Sequence, residues 1–311
     1  MVRTSKAVVF ESPGHLSVRD VALPALTEDD VLVEVTWSGI STGTEKLLWE
    51  GAMPSFPGLA YPLVPGYESM GVVVASDNER LPDGQTVFIP GSRGFIDVSG
   101  LFGGAAKYLV VPSKRLTPLP SSIGETGVLL ALLATAIHIL GRLESHQQPD
   151  LVIGNGVLGR IIVALCEHRY GVAPVIWESA ATRREHNHAI DPKEDARTDY
   201  RTAIDVSGDA SVIDHILPHL GADSVIVLGG FYRNPVSFHF APAFLREIDI
   251  RVAAEWRPSD LQDAAELLCS GALDLTHLIT HRFAAVDAKH AYSEAFSNPY
   301  CLKTVLDWSA L

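Results

Sequence analysis

The chain has only three cysteines, Cys166, Cys269 and Cys301, and no two of them stand at a C-x-x-C spacing. That excludes a disulfide framework and a four-cysteine zinc lobe, and it suits a reducing, cytoplasmic setting. Positive charge is scarce as well. Lys and Arg total 24 against 37 Asp and Glu, and the net charge of -13 argues against nucleic acid or an anionic membrane surface as the main partner. No signal-peptide core precedes the strand-like residues 7–10, since Met-Val-Arg-Thr-Ser-Lys runs straight into them. Long hydrophobic runs are missing too. The longest, 128–140, contains Thr135 and His138 and falls short of the roughly twenty apolar residues a membrane span needs, so it reads as a buried helix. There is no internal repeat and no low-complexity segment.

What is present centres on Asp150-Leu-Val-Ile-Gly-Asn-Gly-Val-Leu-Gly159, a strand signal, a glycine turn and a helix start in ten residues. Leu151, Val152 and Ile153 form the short apolar run of a parallel strand buried on both faces. Gly154, Gly156 and Gly159 then follow with the spacing G-x-G-x-x-G. Gly154 allows the tight turn, Gly156 lets backbone approach a pyrophosphate, and Gly159 lets the helix pack on the sheet. The positive helix end near Val157 and Leu158 faces the phosphates, so no lysine is required. Helical periodicity over 157–170 closes at Gly171, and a second strand, 175–177, ends at Glu178, nineteen residues beyond Gly159. A carboxylate there accepts both adenosine ribose hydroxyls and repels a 2'-phosphate, which favours NAD. Arg183 and Arg184 read either as a solvated basic turn or as binders of that phosphate.

With 311 residues the chain is long enough for two domains with separate cores. Residues 6–10, 16–21, 31–37, 71–75, 86–89 and 106–111 alternate or are apolar, and turns such as Leu81-Pro-Asp-Gly84 separate them, so the N-terminal part reads as a barrel-like β domain. Beyond Glu178, strands are expected near 188–190 and at 202–206, 224–228 and 248–254, with helices at 211–220 and 259–270, as in a doubly wound sheet. His277 and His281 have the i, i+4 spacing of helical metal ligands, but the intervening Leu-Ile-Thr reads as strand, which argues against a metal there.

Ser38-Gly-Ile-Ser-Thr-Gly-Thr-Glu45 resembles the C-G-x-C-x-x-D loop of the medium-chain dehydrogenase/reductase superfamily, and Gly66-Tyr67-Glu68 resembles its G-H-E. The likeness covers essentially the whole chain. It implies an α/β fold with a GroES-like β-barrel catalytic domain at 1–120, a Rossmann NAD-binding domain at 121–279 with a doubly wound parallel sheet, and residues 280–311 returning to the barrel. The cleft between the domains would hold nicotinamide and substrate. Within the superfamily, Trp177-Glu178, Asp205-Val-Ser-Gly-Asp209, Gly229-Gly-Phe-Tyr232, Ala253-Ala-Glu-Trp256 and the Cys301-Leu-Lys303 ending resemble the hydroxyethyl bacteriochlorophyllide a dehydrogenases of bacteriochlorophyll biosynthesis. That resemblance implies a tetrapyrrole substrate and the oxidation of its hydroxyethyl group to acetyl. It also implies that Ser207, Gly229 and Ala254 border the nucleotide together with Gly154, Gly156, Val157, Leu158, Gly159, Glu178 and Arg183. A homodimer joined through the edge of the nucleotide domain is the assembly common in the superfamily.

The departures carry the chemistry. Ser41 and Tyr67 stand where zinc-dependent members have Cys and His, and 129–135 lacks the third cysteine, so no metal is expected: neutral hydroxyls are poor ligands for a borderline-soft ion. A proton acceptor is then required. Tyr67 is the first candidate, its alternative being an aromatic wall. Ser41 and Thr44 either relay a proton or cap the helix starting near Glu45. His138 is either catalytic or a satisfied core histidine. Glu68 is read as structural, paired with an arginine such as Arg93. Trp37, Trp49, Phe56, Tyr61, Phe95, Phe102, Phe231 and Tyr232 could line a flat pocket or simply fill cores. Two other functions fit the same residues: a zinc-less quinone or enoyl reductase, and a nucleotide-binding protein that has lost its chemistry.

Overall fold

A computed structural model describes residues 3–185 and 187–311, so Met1 and Val2 of the N-terminal reading lie outside the described residues. In chain order the first elements are β1 (Thr4–Ser12), β2 (His15–Ala22), β3 (Asp30–Ile40), α1 (Thr44–Trp49), β4 (Leu63–Pro65), β5 (Ser69–Ala75), β6 (Thr86–Ile89), β7 (Ser99–Leu101), β8 (Tyr108–Pro112) and β9 (Thr117–Pro118). Next come α2 (Leu130–Leu140), β10 (Leu151–Ile153), α3 (Val157–Tyr170), β11 (Val175–Trp177), α4 (Ala181–Arg184), β12 (Tyr200–Asp205), α5 (Val212–Ile216), β13 (Leu220–Leu228), α6 (Phe240–Leu245), β14 (Asp249–Val252) and α7 (Pro258–Ser270). The last are β15 (Ile279–Ala284), α8 (Ala288–Ser297) and β16 (Lys303–Asp307).

Two compact units emerge, one of Met1–Ala131 with Ala265–Leu311 and one of Leu132–Ala264. In the first, a sheet ordered β2-β1-β4-β7 accompanies a larger one ordered β15-β16-β3-β5-β6-β9, with β8 pairing the first half of β3, opposite β5. The long strand β3 is the axis of this unit. Its buried Val31, Val33 and Val35 share one core with Phe10, Val87, Leu109 and Trp308. The chain end is part of that core, because β16 pairs antiparallel with β3, Thr304 opposite Ile40 and Leu306 opposite Ser38. Trp308, fully buried, then donates its indole Nε1–H to Ser38 Oγ at 2.9 Å.

The second unit holds a five-stranded sheet ordered β11-β10-β12-β13-β14, parallel throughout. Its inner strand β10 is the expected apolar run, buried at all three residues because helices cover both faces of such a sheet. Helix α3 ends at Gly171, whose φ of 72° is the left-handed cap that glycine adopts without strain.

Every strand expected in 6–111 is present. The three unexpected ones, β4, β7 and β9, are three residues or fewer, too short to show a period. Three expectations need correction. The 211–220 helix stops at Ile216 and tightens into a 3-10 turn, Leu217–His219, because Pro218 interrupts it. Of 188–190 only Ile190 pairs, as a single parallel bridge to Trp177. The apolar helix is longer than its apolar run: a 3-10 stretch, Ser121–Leu129, leads into α2, with non-helical φ/ψ at Gly124. By length and composition Ser121–Leu140 could cross a membrane, and 61% of that window is buried inside the fold.

If the returning tail is structural, replacing Trp308 with alanine should cost about 3–5 kcal/mol in urea unfolding, as for other buried tryptophans. A loss under about 1 kcal/mol would show that the tail contributes little to the barrel.

Candidate nucleotide turn and a buried hydroxyl–carboxylate site

In the second unit the three glycines do three different things. Gly154 leaves β10 with φ +106°, and a Cβ there would come within 3.2 Å of the Val206–Ser207 backbone. A Cβ on Gly159 would sit 1.9 Å from Gly154 O, so α3 can lie against the turn only with glycine at this point. Gly156 is different: a Cβ would meet nothing nearer than Arg183 Nη1 at 3.8 Å. It caps α3 with no side-chain hydrogen bond, so the first amides of the helix, about Val157 and Leu158, have no competing side-chain cap.

Glu178 reaches back to this turn. Its Oε2 accepts Asn155 N–H at 3.0 Å and its Oε1 accepts Ala180 N–H at 2.9 Å. The two arginines separate in role. Arg184 pairs with Asp191 at 3.1 Å and donates to Ser179 O and Glu178 O, which makes it a structural clamp. Arg183 is the one beside Gly156. Sequence reasoning missed Arg160, buried one residue after Gly159, whose Nε donates to Asn155 O at 3.2 Å. Burial and then the charge of Arg183 lower its pKa. Nothing in the residue pattern marked it, since its position belongs to the helix face that packs. Ser207, Gly229 and Ala254 lie within two residues of the ends of β12, β13 and β14, so with Gly154 they stand at the carboxyl ends of adjacent parallel strands, where open α/β sheets bind ligands. A Cβ on Gly229 would strike Ile139 Cδ1 at 2.5 Å, so that glycine serves packing as well. An open turn, uncapped amides, a guanidinium and a carboxylate together fit a dinucleotide diphosphate and its ribose. His138 also lies in this unit. Its Nδ1 pairs with Asp260 Oδ2 at 2.9 Å, and the same oxygen accepts Arg257 N–H at the start of α7.

In the first unit, Ser41 Oγ and Tyr67 Oη are hydrogen-bonded at 2.8 Å. Neither Ser41 nor Thr44 caps α1; Gly43 is its N-cap, without a side-chain bond, so the capping alternative falls away. Burial, and next the charge of Glu68, push the Tyr67 phenol far above its ordinary pKa, and hydrogen bonding to Ser41 and Thr44 offsets only part of the rise. Phe102 meets the Tyr67 ring edge-on at 5.7 Å, and Phe56 meets Phe102 at 6.1 Å. From the longer aromatic set, Trp49, Tyr61 and Phe95 pack on the barrel core, and Tyr232 donates to Asp205 in the other unit.

Glu68 does not pair with Arg93. Its partner is Lys303, Nζ to Oε2 at 2.5 Å, while Arg93 pairs with Asp30 at 2.7 Å. The reason is topological, since β16 places Lys303 next to β3, and Lys303 also donates to Ile40 O. A residue not foreseen as functional completes the set. Glu45 is fully buried, accepts Ser41 N–H at 3.2 Å through Oε1 and accepts Tyr292 Oη–H at 2.6 Å through Oε2. Burial pushes its carboxyl up to about 7; the Tyr292 hydrogen bond opposes the rise, Glu68 adds to it, and Ser41 N–H and Lys303 oppose it. As donors for zinc these groups fit poorly: two neutral hydroxyls are bonded to each other, and an ammonium occupies the neighbouring carboxylate. Among the described residues no three His, Cys, Asp or Glu side chains cluster as a metal site.

Comparison with known proteins follows the same lines. The alcohol dehydrogenase GroES-like domain family matches residues 27–121. The 2-desacetyl-2-hydroxyethyl bacteriochlorophyllide A dehydrogenase of Cereibacter sphaeroides is 46% identical over 313 residues, 98% of each chain. That of Rhodobacter capsulatus is 45% identical over 309 residues, again 98% of each. Among solved structures, the alcohol dehydrogenase rspB of E. coli CFT073, complexed with NADH, superposes with a TM-score of 0.84 over 99% of this chain and 100% of that one, at 22% identity.

The Glu45 shift has a direction that stability can test. A carboxyl that binds its proton more tightly when folded contributes stability below its unfolded value of 4.5, and this is lost as pH rises through about 7. Glu45→Gln should therefore gain on the wild type between about pH 5 and about pH 8, by an amount on the order of 2–3 kcal/mol in thermal or urea unfolding. A stability difference that stays constant over that range would show that Glu45 does not titrate there.

Proposed function

Because the chain belongs to the hydroxyethyl bacteriochlorophyllide a dehydrogenases of the medium-chain dehydrogenase/reductase superfamily, we propose that it oxidises the hydroxyethyl group of a bacteriochlorophyllide to acetyl in bacteriochlorophyll a biosynthesis, with NAD and without zinc. The observation that carries this reading is identity of 46% and 45% to dehydrogenases of that activity along nearly the whole chain. Its cofactor is a nicotinamide nucleotide, as in the structural neighbour complexed with NADH. Glu178 supports NAD in particular. A carboxylate that already accepts two backbone amides beside the glycine turn has free lone pairs for ribose hydroxyls and repels a phosphate ester.

A nicotinamide nucleotide held at the glycine turn would supply the acceptor for the hydride of the carbinol carbon. That carbon is attached to a conjugated macrocycle, which delocalises the positive charge developing as the hydride leaves and reduces the need for a Lewis acid. The hydroxyl proton is the remaining task of the protein. Tyr67 stays a neutral phenol, given the direction of its shift, so it serves as a relay and not as a phenolate base. It accepts the proton on oxygen as its own passes to Ser41, the neighbour at 2.8 Å, whose hydroxyl proton in turn leaves to solvent, with Thr44 as an alternative partner. Phe102 and Phe56 supply apolar aromatic surface beside the phenol, suited to a tetrapyrrole edge. His138 has a sufficient structural role in its bond to Asp260. Three widely spaced cysteines, none of them in a disulfide, suit the cytoplasm.

A homodimer fits one exposed edge. Strand β14 ends the parallel sheet and pairs only with β13 among the described residues, and Val252 on it is 66% exposed. Phe240, Phe244 and Leu245 of α6 add an apolar surface exposed at 64% or more. Such an edge is a pairing hazard unless covered, and a second copy covers it by symmetry.

The decisive assay incubates metal-stripped protein anaerobically with hydroxyethyl bacteriochlorophyllide a and either NAD or NADP, following pigment absorbance together with nucleotide reduction. Acetyl product matched one to one by NADH is expected, and Tyr67→Phe should lower kcat about 100-fold. Activity that appears only on adding zinc, or only with NADP, would refute the corresponding part of the reading. Tight NADH binding with no pigment turnover would redirect the function to enone reduction or nucleotide binding. For the assembly, light scattering should give a dimer that Phe244→Glu with Leu245→Glu converts to monomer; a monomeric wild type would disprove it.

A further inference from the structure

Helix α1 is six residues long and carries a glutamate on its buried side, where an unpaired charge is costly. The cost is accepted in a specific geometry. Glu45 Oε1 holds the backbone N–H of Ser41, the residue whose hydroxyl holds Tyr67, and Glu45 Oε2 holds Tyr292 of α8. The titratable groups facing it come from three directions: Tyr292 on α8, Lys303 on β16, and Tyr67 with Glu68 on the loop between β4 and β5. Two carboxyls therefore share one ammonium. With both ionised, the cluster carries an uncompensated negative charge beneath the Tyr67–Ser41 pair; with one protonated, it is neutral.

We propose that Glu45 is a positioning residue for Tyr67, fixing the Ser41 turn by its ionised carboxylate and exchanging the proton that sets the charge beneath the relay. The role rests on the alcohol-oxidising reading given above. Two physical consequences follow from the geometry. The ionised carboxylate makes a charge-assisted bond to Ser41 N–H, which is stronger than the neutral one left after protonation. Its negative charge also favours loss of the hydroxyl proton into Tyr67 and Ser41 and stabilises positive charge developing at the carbinol carbon. Alcohol oxidation should then run best with Glu45 ionised, and carbonyl reduction with Glu45 protonated. The proton is conserved throughout: in oxidation it leaves the substrate hydroxyl, crosses the relay and passes to solvent, while Glu45 stays ionised.

The test combines a pH–rate profile with a signal that does not need turnover. With ¹³Cζ-tyrosine incorporated and assigned through Tyr67→Phe and Tyr292→Phe, the Tyr67 and Tyr292 resonances of the full chain should shift with one common midpoint near neutrality, and Glu45→Gln should abolish that shift. In parallel, kcat/KM for hydroxyethyl bacteriochlorophyllide oxidation should rise at least about fivefold through the same midpoint in wild type and become flat in Glu45→Gln. Tyr292→Phe, which removes a bond that favours the ionised carboxyl, should move both midpoints to higher pH, and it covers the case of a glutamine variant that fails to fold. A Tyr67 resonance that is unmoved by pH, or that still titrates in Glu45→Gln, overturns the proposal. So does a glutamine variant that loses activity equally at every pH, the mark of a merely structural residue. Failure of the functional reading looks different: wild type would turn over no pigment at any pH while the Tyr67 signal still titrated and disappeared in Glu45→Gln.

Discussion

The barrel unit depends on a small amount of charge placed where water cannot reach it. Lys303 is 2% exposed and its partner Glu68 is fully buried, so neither could be charged alone at a tolerable cost. The pair is possible because β16 lies against β3 and carries the ammonium from the chain end to a carboxylate more than two hundred residues earlier. Breaking it would leave the other charge stranded, with a penalty of several kcal/mol, so chain return and buried pair require each other. Trp308 strengthens the same seam through Ser38, and Tyr292 through Glu45. The loop that supplies Ser41 and the loop that supplies Tyr67 are thus held by groups from the C-terminal tail.

The same seam explains how a superfamily position for a soft metal can be occupied by hydroxyls. A cation at Ser41 and Tyr67 would have to compete with a hydrogen bond already made and with the ammonium on Glu68. What the site offers instead is a neutral phenol of very low acidity, a serine, and a buried carboxyl whose proton is in balance near neutral pH. These groups can move a proton; they are not suited to polarising an alcohol. Under the function proposed above, the substrate itself makes hydride loss easier, as a macrocycle-linked carbinol does.

In the second unit the glycine turn is built by close approach rather than by charge. At Gly159 a single added carbon would fall 1.9 Å from a carbonyl oxygen, and at Gly154 it would press on the β12 turn. Those contacts bring α3 and the strand ends together, and only Gly156 is left open. The carboxylate of Glu178 and the guanidinium of Arg183 then flank the opening from neighbouring elements.

Residues close in sequence were the legible ones. The alternation of 31–37, the run 151–153, the glycine spacing, the helix over 157–170 with its glycine stop, and Glu178 at a strand end are all local consequences of backbone sterics and burial, and each appears where the sequence put it. Short elements such as β4 and β9 have no period to read, and Pro218 shortened a helix that apolar spacing alone had extended. The Tyr67 and Ser41 positions were visible only as departures from a resembled motif. Their pairing, the choice of Lys303 over Arg93 for Glu68, and the part played by Glu45 and Tyr292 were decided by tertiary structure. Those contacts join residues separated by 26 to 247 positions, and which charges meet is settled by strand order and by the cost of burying any one of them alone.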